Sequence, residues 1–382
     1  MTHGRAGVRR WAEAASIASA RQTAVLVLAA SVGCSGLEPP SAVDGGRQLS
    51  PSDASYSVSS ATVVTLPYQF DLDDLTQIMY WHEIYGIGRS GMVTGRARSK
   101  RYDFYTSFRW SPSAGVEDMG NPPGPDNYGA GLGINSGGEV VGSGLSQDSY
   151  GDDYVSIHAY RMTQPQTGSC SSSCGVVDLG GPKTLAKVSA AYAINDAGQV
   201  TGEYDGIASL WSASNIRTTL GTLGGSTSTG RAINSRGAVV GWSARADGRT
   251  HAFIKTADGT MRDLGSFEGR TSMAVGINDA YEVVGSSTLR SGASHAFLWT
   301  PSGGMKDLGT LLGGTASAAT GINSAGAVIG WSTVTGGAVH AFLWTRAGGM
   351  EDITPKTGIT NPGGLSDNYR TYEGIKIYTL VF

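Results

Sequence analysis

The chain is short of charge. Asp, Glu, Lys and Arg make up only 15% of its 382 residues, against about a quarter in an ordinary globular domain, which excludes an architecture built mainly of long solvated helices. A basic excess is also missing. With 28 Lys and Arg against 31 Asp and Glu, a net charge of −3, the chain has no positive stripe for nucleic acid. No apolar run reaches the roughly 20 residues of a membrane-spanning helix. Three cysteines are too few for a disulfide framework. Glycine and aromatics, by contrast, are plentiful: 57 Gly, 8 Trp, 16 Tyr and 8 Phe. Enough apolar surface is present to exclude disorder for most of the chain.

Motifs of common catalysis are lacking as well. There is no Gly-x-Ser-x-Gly elbow, no His-Glu-x-x-His pair and no phosphate loop. His82-Glu83 lacks its second His, and Gly180-Gly181-Pro182-Lys183-Thr184 has Pro where a phosphate loop needs a backbone N–H. Gly129-Ala130-Gly131-Leu132-Gly133 precedes no helix and reads as a turn. Asp148, Asp152 and Asp153 lack the spacing and closing Glu of a calcium hand and read as solvated charge. No metal, no other cofactor and no catalytic residue is expected.

The N-terminus carries an address. Arg5, Arg9 and Arg10 precede an uncharged run over residues 23–33 that ends in small side chains, the pattern of a secretory signal. The Arg9-Arg10 pair leaves a twin-arginine variant as a minor alternative, which Glu13 disfavours. Ser31-Val32-Gly33-Cys34 resembles the lipobox of bacterial lipoproteins, with Ser31 where that family usually has Leu. The resemblance implies acylation of Cys34, with plain secretion as the alternative, and Ser35 implies sorting to the outer membrane. The Gly/Pro/Ser-rich stretch after it reads as a tether. The expected organisation is a signal peptide over 1–33, a tether over 34–60 and one repeat domain over 61–382. Cys170 and Cys174 form an even pair in an exported chain and are expected to bridge each other.

The domain is internally repeated. His-Ala-Phe-Ile-Lys at 251 returns as His-Ala-Phe-Leu-Trp at 295 and 340, with degenerate copies starting at Thr106, His158 and Ile207. A second signature, Gly/Ala-Ile-Asn-Ser/Asp-x-Gly-x-Val-Val-Gly, precedes each, its Ile at Ile134, Ile194, Ile233, Ile277 and Ile322, with a weaker match at Ile87. The period of about 44 residues suits a four-stranded blade. These residues resemble the HAF repeat family of extracellular repeat proteins over about residues 85–353. The resemblance implies an exported or surface β-repeat protein and no established activity.

Strand and turn signals support the same unit independently. In the last full repeat, strands are expected over 318–323, 327–333, 340–345 and 349–353, with Asn323-Ser324-Ala325-Gly326 as a type I turn. Asn278-Asp279-Ala280-Tyr281 lacks the closing Gly, so its turn is expected to differ. The predicted fold is an all-β propeller of four-stranded antiparallel blades, small residues on the inner strand and aromatics further out. Seven blades are expected, the seventh a composite of residues 61–72 and 372–382, with six as the alternative. Residues 73–85 are open to either a short helix or a strand.

His158, His251, His295 and His340 lie on separate repeats and are expected to be structural, with Asp178, Asp263 and Asp307 as candidate partners. Trp242, Trp299, Trp331 and Trp344 are expected in the core between blades. Ligand contacts are expected on a rim of inserted loops, at Asp126, Asn127 and Tyr128 and at the similar Asp367, Asn368 and Tyr369, which offer acceptor, amide and aromatic face. The expected function is an exported, lipid-anchored surface protein that binds polysaccharide or protein, with no nucleic-acid partner and membrane contact only through the anchor. A polymer hydrolase or lyase and a purely adhesive repeat are the alternatives.

Overall fold

The computed structural model describes residues 26–32, 58–65, 70–71, 78–99, 105–111, 113–120, 129–147, 155–165, 175–180, 188–357, 364–365, 371–372, 375–376 and 380–381. Among them are six successive antiparallel meanders, five of four strands and the first of five. The first runs from Phe70–Asp71 through Ile78–Ile87, Val93–Ser99 and Tyr105–Ser111 to Gly115–Gly120. In every sheet one strand leads into the Ile-Asn turn, or its Ile-Gly counterpart. These inner strands are Ile78–Ile87, Gly129–Ile134, Ser189–Ile194, Gly224–Ile233, Ser272–Ile277 and Ser317–Ile322. Four-stranded antiparallel sheets at this period are consistent with propeller blades.

In the sixth sheet the strands are Ser317–Ile322, Val328–Thr333, Val339–Thr345 and Gly349–Asp352, each within a residue of its expected bounds. Val-Val doublets mark the second strand because that strand is covered on both faces. In the fifth sheet, Val283 joins a core shared with Val240 and Ile254 of the fourth. Its neighbour Val284 points the other way, into a core with Val328 and Phe342 of the sixth. Trp299 and Trp344 are buried in these two cores, while Trp242 and Trp331 are only half-buried. The Gly after the doublet has a steric cause. A Cβ on Gly285 would stand 1.9 Å from the carbonyl oxygen of Met273 on the inner strand.

From the second to the sixth, hydroxyl groups staple one sheet to the next. The Ala N–H of the His-Ala-Phe triplets at 251 and 295, and of the degenerate copies at 158 and 207, reaches across, while Ala341 donates to Thr354 Oγ1 just after its own sheet. Ala252 donates to Ser272 Oγ at 2.8 Å and Ala296 to Ser317 Oγ at 2.9 Å. Ser272 and Ser317 in turn donate to the Gly265 and Gly309 carbonyls. Each serine therefore satisfies a buried N–H and a turn carbonyl at once.

Two expectations are corrected. Gly129–Ile134 is an inner strand and not a turn; its glycines serve close packing, since a Cβ on Gly131 would lie 2.2 Å from Thr94 Oγ1. The turn at 278–281 does not differ from its equivalents. Tyr281 N–H donates to the Asn278 carbonyl at 3.1 Å, as Gly326 does to Asn323 at 3.0 Å, and Tyr281 adopts the left-handed φ of 61° that Gly holds elsewhere. The surrounding hydrogen bonds outweigh the cost of a side chain in that region.

Residues 78–85 are strand. Leu26–Val32, within the expected signal peptide, pairs antiparallel with Val58–Thr65, and near the C-terminus Gly364–Leu365 pairs with Leu380–Val381. A short helix spans Thr354–Thr357. No helix among the described residues is long and apolar enough to cross a membrane.

Candidate ligand-binding site

The six inner strands border one shared cavity of about 250 Å³. Each strand contains a register shift against its neighbour, at the same place in the repeat. The extra residue is Tyr85, Leu132, Tyr192, Arg231, Val275 or Thr320, and all six line the cavity. A bulge re-aims the side chain that it inserts. The position just before the Gly/Ala-Ile pair is thus the one place where each repeat presents a residue of its own to a common space. Two phenols, a guanidinium, a hydroxyl and two aliphatic groups meet there.

Arg231 sets the electrostatics. It is half-buried, its guanidinium carbon 5.0 Å from the centre of the Tyr192 ring, and it forms no hydrogen bond or ion pair with the described residues. Burial lowers its pKa from the ordinary arginine value, opposed in part by Tyr192. Tyr192 donates to Glu203 Oε1 at 3.3 Å, and Glu203 Oε2 accepts from Thr229 Oγ1 at 2.9 Å. Burial, then the Glu203 charge, raises the Tyr192 pKa, so the phenol stays protonated.

A belt of asparagines closes in on one end of the cavity. Asn135 Nδ2 donates to the Asn195 carbonyl, Asn195 to Asn234, Asn234 to Asn278 and Asn278 to Asn323, at 3.0–3.3 Å. Each step joins one sheet to the next. The Oδ1 of each accepts the N–H four residues on, as in Ala238 to Asn234 at 2.9 Å. These residues were legible in the sequence only as turn formers; their amide groups link the sheets. At the same end Asp196 accepts from Ser136 N–H and Oγ, at 2.8 and 3.2 Å.

The repeat histidines lie away from the cavity. His158, His251, His295 and His340 donate through Nδ1 to Asp178, Asp263, Asp307 and Asp352 at 2.7–3.1 Å. In the first sheet Thr106 takes the place of His, its Oγ1 donating to Asp118 Oδ1 at 2.6 Å. No group of three His, Cys, Asp or Glu able to hold a metal occurs among the described residues. The expected rim contacts Asp126, Asn127, Tyr128, Asp367, Asn368 and Tyr369 lie outside the described residues, as do Cys34, Cys170, Cys174, Asp148, Asp152 and Asp153. The residues that sequence reasoning missed are those at the bulges. The signal was available as the variable letter within a regular motif, but not the direction in which it points.

The chain matches no family model and no curated protein. Among solved structures it is similar to TolB from Acinetobacter baumannii, at 11% identity with a TM-score of 0.39, covering 68% of this chain and 62% of that one. It is also similar to a puromycin-hydrolyzing peptidase of Mycobacterium tuberculosis, at 8% identity and a TM-score of 0.43, covering 83% of this chain and 50% of that one. The chain thus spans between half and two thirds of their lengths.

Proposed function

We propose that this protein is a non-catalytic β-propeller, exported and lipid-anchored at Cys34 on the outer membrane or cell surface, that binds polysaccharide or protein. The observation that carries the binding reading is the convergence of one variable side chain from each of six sheets on a single cavity. A scaffold that sets a differing residue at the same bulge of each unit, facing a common space, is arranged to present those residues. The ring closes through a seventh, composite blade in this reading. In support, Gly364–Leu365 packs against the inner strands of both the sixth and the first sheets. Leu380–Val381, in the C-terminal part of the expected composite, also packs against the inner strand of the first sheet, whereas Phe70–Asp71, expected in its N-terminal part, pairs with Ile78–Ile87 within the first sheet.

Full-length protein, expressed in a bacterial host and recovered from the membrane fraction, is screened on glycan and peptide arrays and for turnover of bound polymers. Binding without turnover is the expected result, with an acyl mass on Cys34. Release of shortened polymer would replace the reading with a hydrolase or lyase. Replacing Asp126, Asn127 and Tyr128 together by Ala tests the rim as a contributor, which is expected to lower affinity without shifting the thermal midpoint.

A further inference from the structure

The cavity holds a cation that the described residues leave without an acceptor. A guanidinium has five N–H donors, and taking it out of water without hydrogen bonds is costly. Arg231 lies with Tyr192 near one face, and its N–H groups meet no acceptor among the described residues. The other charges bordering the cavity are engaged: Arg89 pairs with Asp279, and Asp196 holds the Ser136 N–H and hydroxyl. Among the described residues the space therefore carries one unmatched positive charge.

We propose that the shared cavity is a subsite for a sugar acid, with the guanidinium of Arg231 receiving its carboxylate. Arginine matches a carboxylate through two parallel N–H···O bonds. The rest of the lining suits a hydroxylated ring and not a purely apolar acid. The Tyr192 and Thr320 hydroxyls donate to Glu203 and to the Ile329 carbonyl and keep lone pairs that accept from sugar hydroxyls, while Tyr85, Leu132 and Val275 bring apolar surface for the C–H face of a sugar. The volume of about 250 Å³ lies just under the roughly 300–1,000 Å³ of pockets for drug-sized ligands. One sugar unit at a time is the scale that fits. The inference rests on the polysaccharide form of the binding reading and narrows it to acidic glycans.

The test is calorimetric titration of the full-length protein with glucuronate, with glucose as the neutral counterpart. Glucuronate is expected to bind at least tenfold tighter than glucose. R231Q is expected to abolish that preference, and R231K to retain part of it. Should R231Q fail to fold, V275F fills the cavity from another sheet and is expected to remove glucuronate binding with Arg231 intact. Equal affinity for the acid and the neutral sugar, no glucuronate binding up to 10 mM (about 2.7 kcal/mol in binding free energy), or unchanged binding by R231Q would each overturn the proposal. Array binding to neutral glycans with no response to glucuronate would sink this subsite while leaving the wider reading in place; a silent glycan array with tight glucuronate binding would do the opposite.

Discussion

Arg89 and Asp279, 190 positions apart, grip each other in a two-bond fork, Nη1 to Oδ2 at 2.7 Å and Nη2 to Oδ1 at 3.0 Å. Arg89 belongs to the Ile-Gly turn of the first sheet and Asp279 to the Ile-Asn turn of the fifth. Asp279 Oδ1 also accepts the Ser235 N–H of the fourth sheet at 2.9 Å. One carboxylate thereby ties together turns from three sheets, next to the cavity that their inner strands border.

The fork is expected to contribute about 1 kcal/mol, because both side chains are about one third exposed and solvent screens part of the attraction. A double-mutant cycle of R89A and D279A, read by denaturant unfolding, measures it. The hydrogen bonds from Arg89, ahead of the opposing effect of burial, hold the Asp279 carboxyl below its ordinary value. A depressed carboxylate contributes stability above the unfolded pKa of 3.8 and loses it as pH falls through the folded value. The coupling should therefore be intact at pH 7 and fade in acid. Strictly additive single variants at pH 7 would remove the claim.

Asn234 is fully buried. Its Oδ1 accepts from Ala238 and Arg236, and its Nδ2 donates to the Asn278 carbonyl. N234A strands these groups between two sheets and is expected to cost about 3 kcal/mol. S235A, at an exposed neighbour that still offers its backbone N–H to Asp279, should cost no more than about 0.5 kcal/mol. Thermal and urea unfolding of the two variants decide it. Similar small losses in both would show that the asparagine belt does not join the sheets energetically.

Asp118 is the reverse of Asp279. Burial raises its pKa from 3.8, although Thr106 and the Gly120 N–H both favour the charged form. A raised carboxyl contributes stability that is fully present below 3.8 and is lost as pH rises through the folded value. D118N keeps an acceptor for Thr106 and Gly120 and removes the buried charge. It is expected to unfold at the same temperature as the parent or up to a few degrees above it at pH 7, the advantage vanishing below pH 3.8. Destabilisation by D118N at pH 7 would mean that Thr106 and Gly120 outweigh burial.

The strand pattern was legible because it is local. Periodic Val-Val-Gly, His-Ala-Phe and Asp-Leu-Gly runs mark where a sheet must begin, be covered and turn, and the sixth sheet follows those marks to within a residue. Even the paired partners of His251 and His295 lie 12 residues away, within one unit. Turn chemistry was less dependable. Tyr281 carries the wrong residue for its φ, yet the Asn278 Oδ1 bonds to Ala280 and Glu282 hold the turn in the common form.

What the sequence determined by itself is the repeat: its period, the phase of its strands, and the small and aromatic residues that let sheets stack. Tertiary structure alone decided which letters share a space. Tyr85, Tyr192, Arg231 and Thr320 are scattered over more than 200 positions, and nothing in their neighbourhoods marks them as companions. Six bulges at equivalent places turn them toward one cavity. Bulge direction depends on how neighbouring strands pair, and the fork of Arg89 on Asp279 depends on how far the stack of sheets curves round. Both are properties of sheets packed together, which no single repeat encodes.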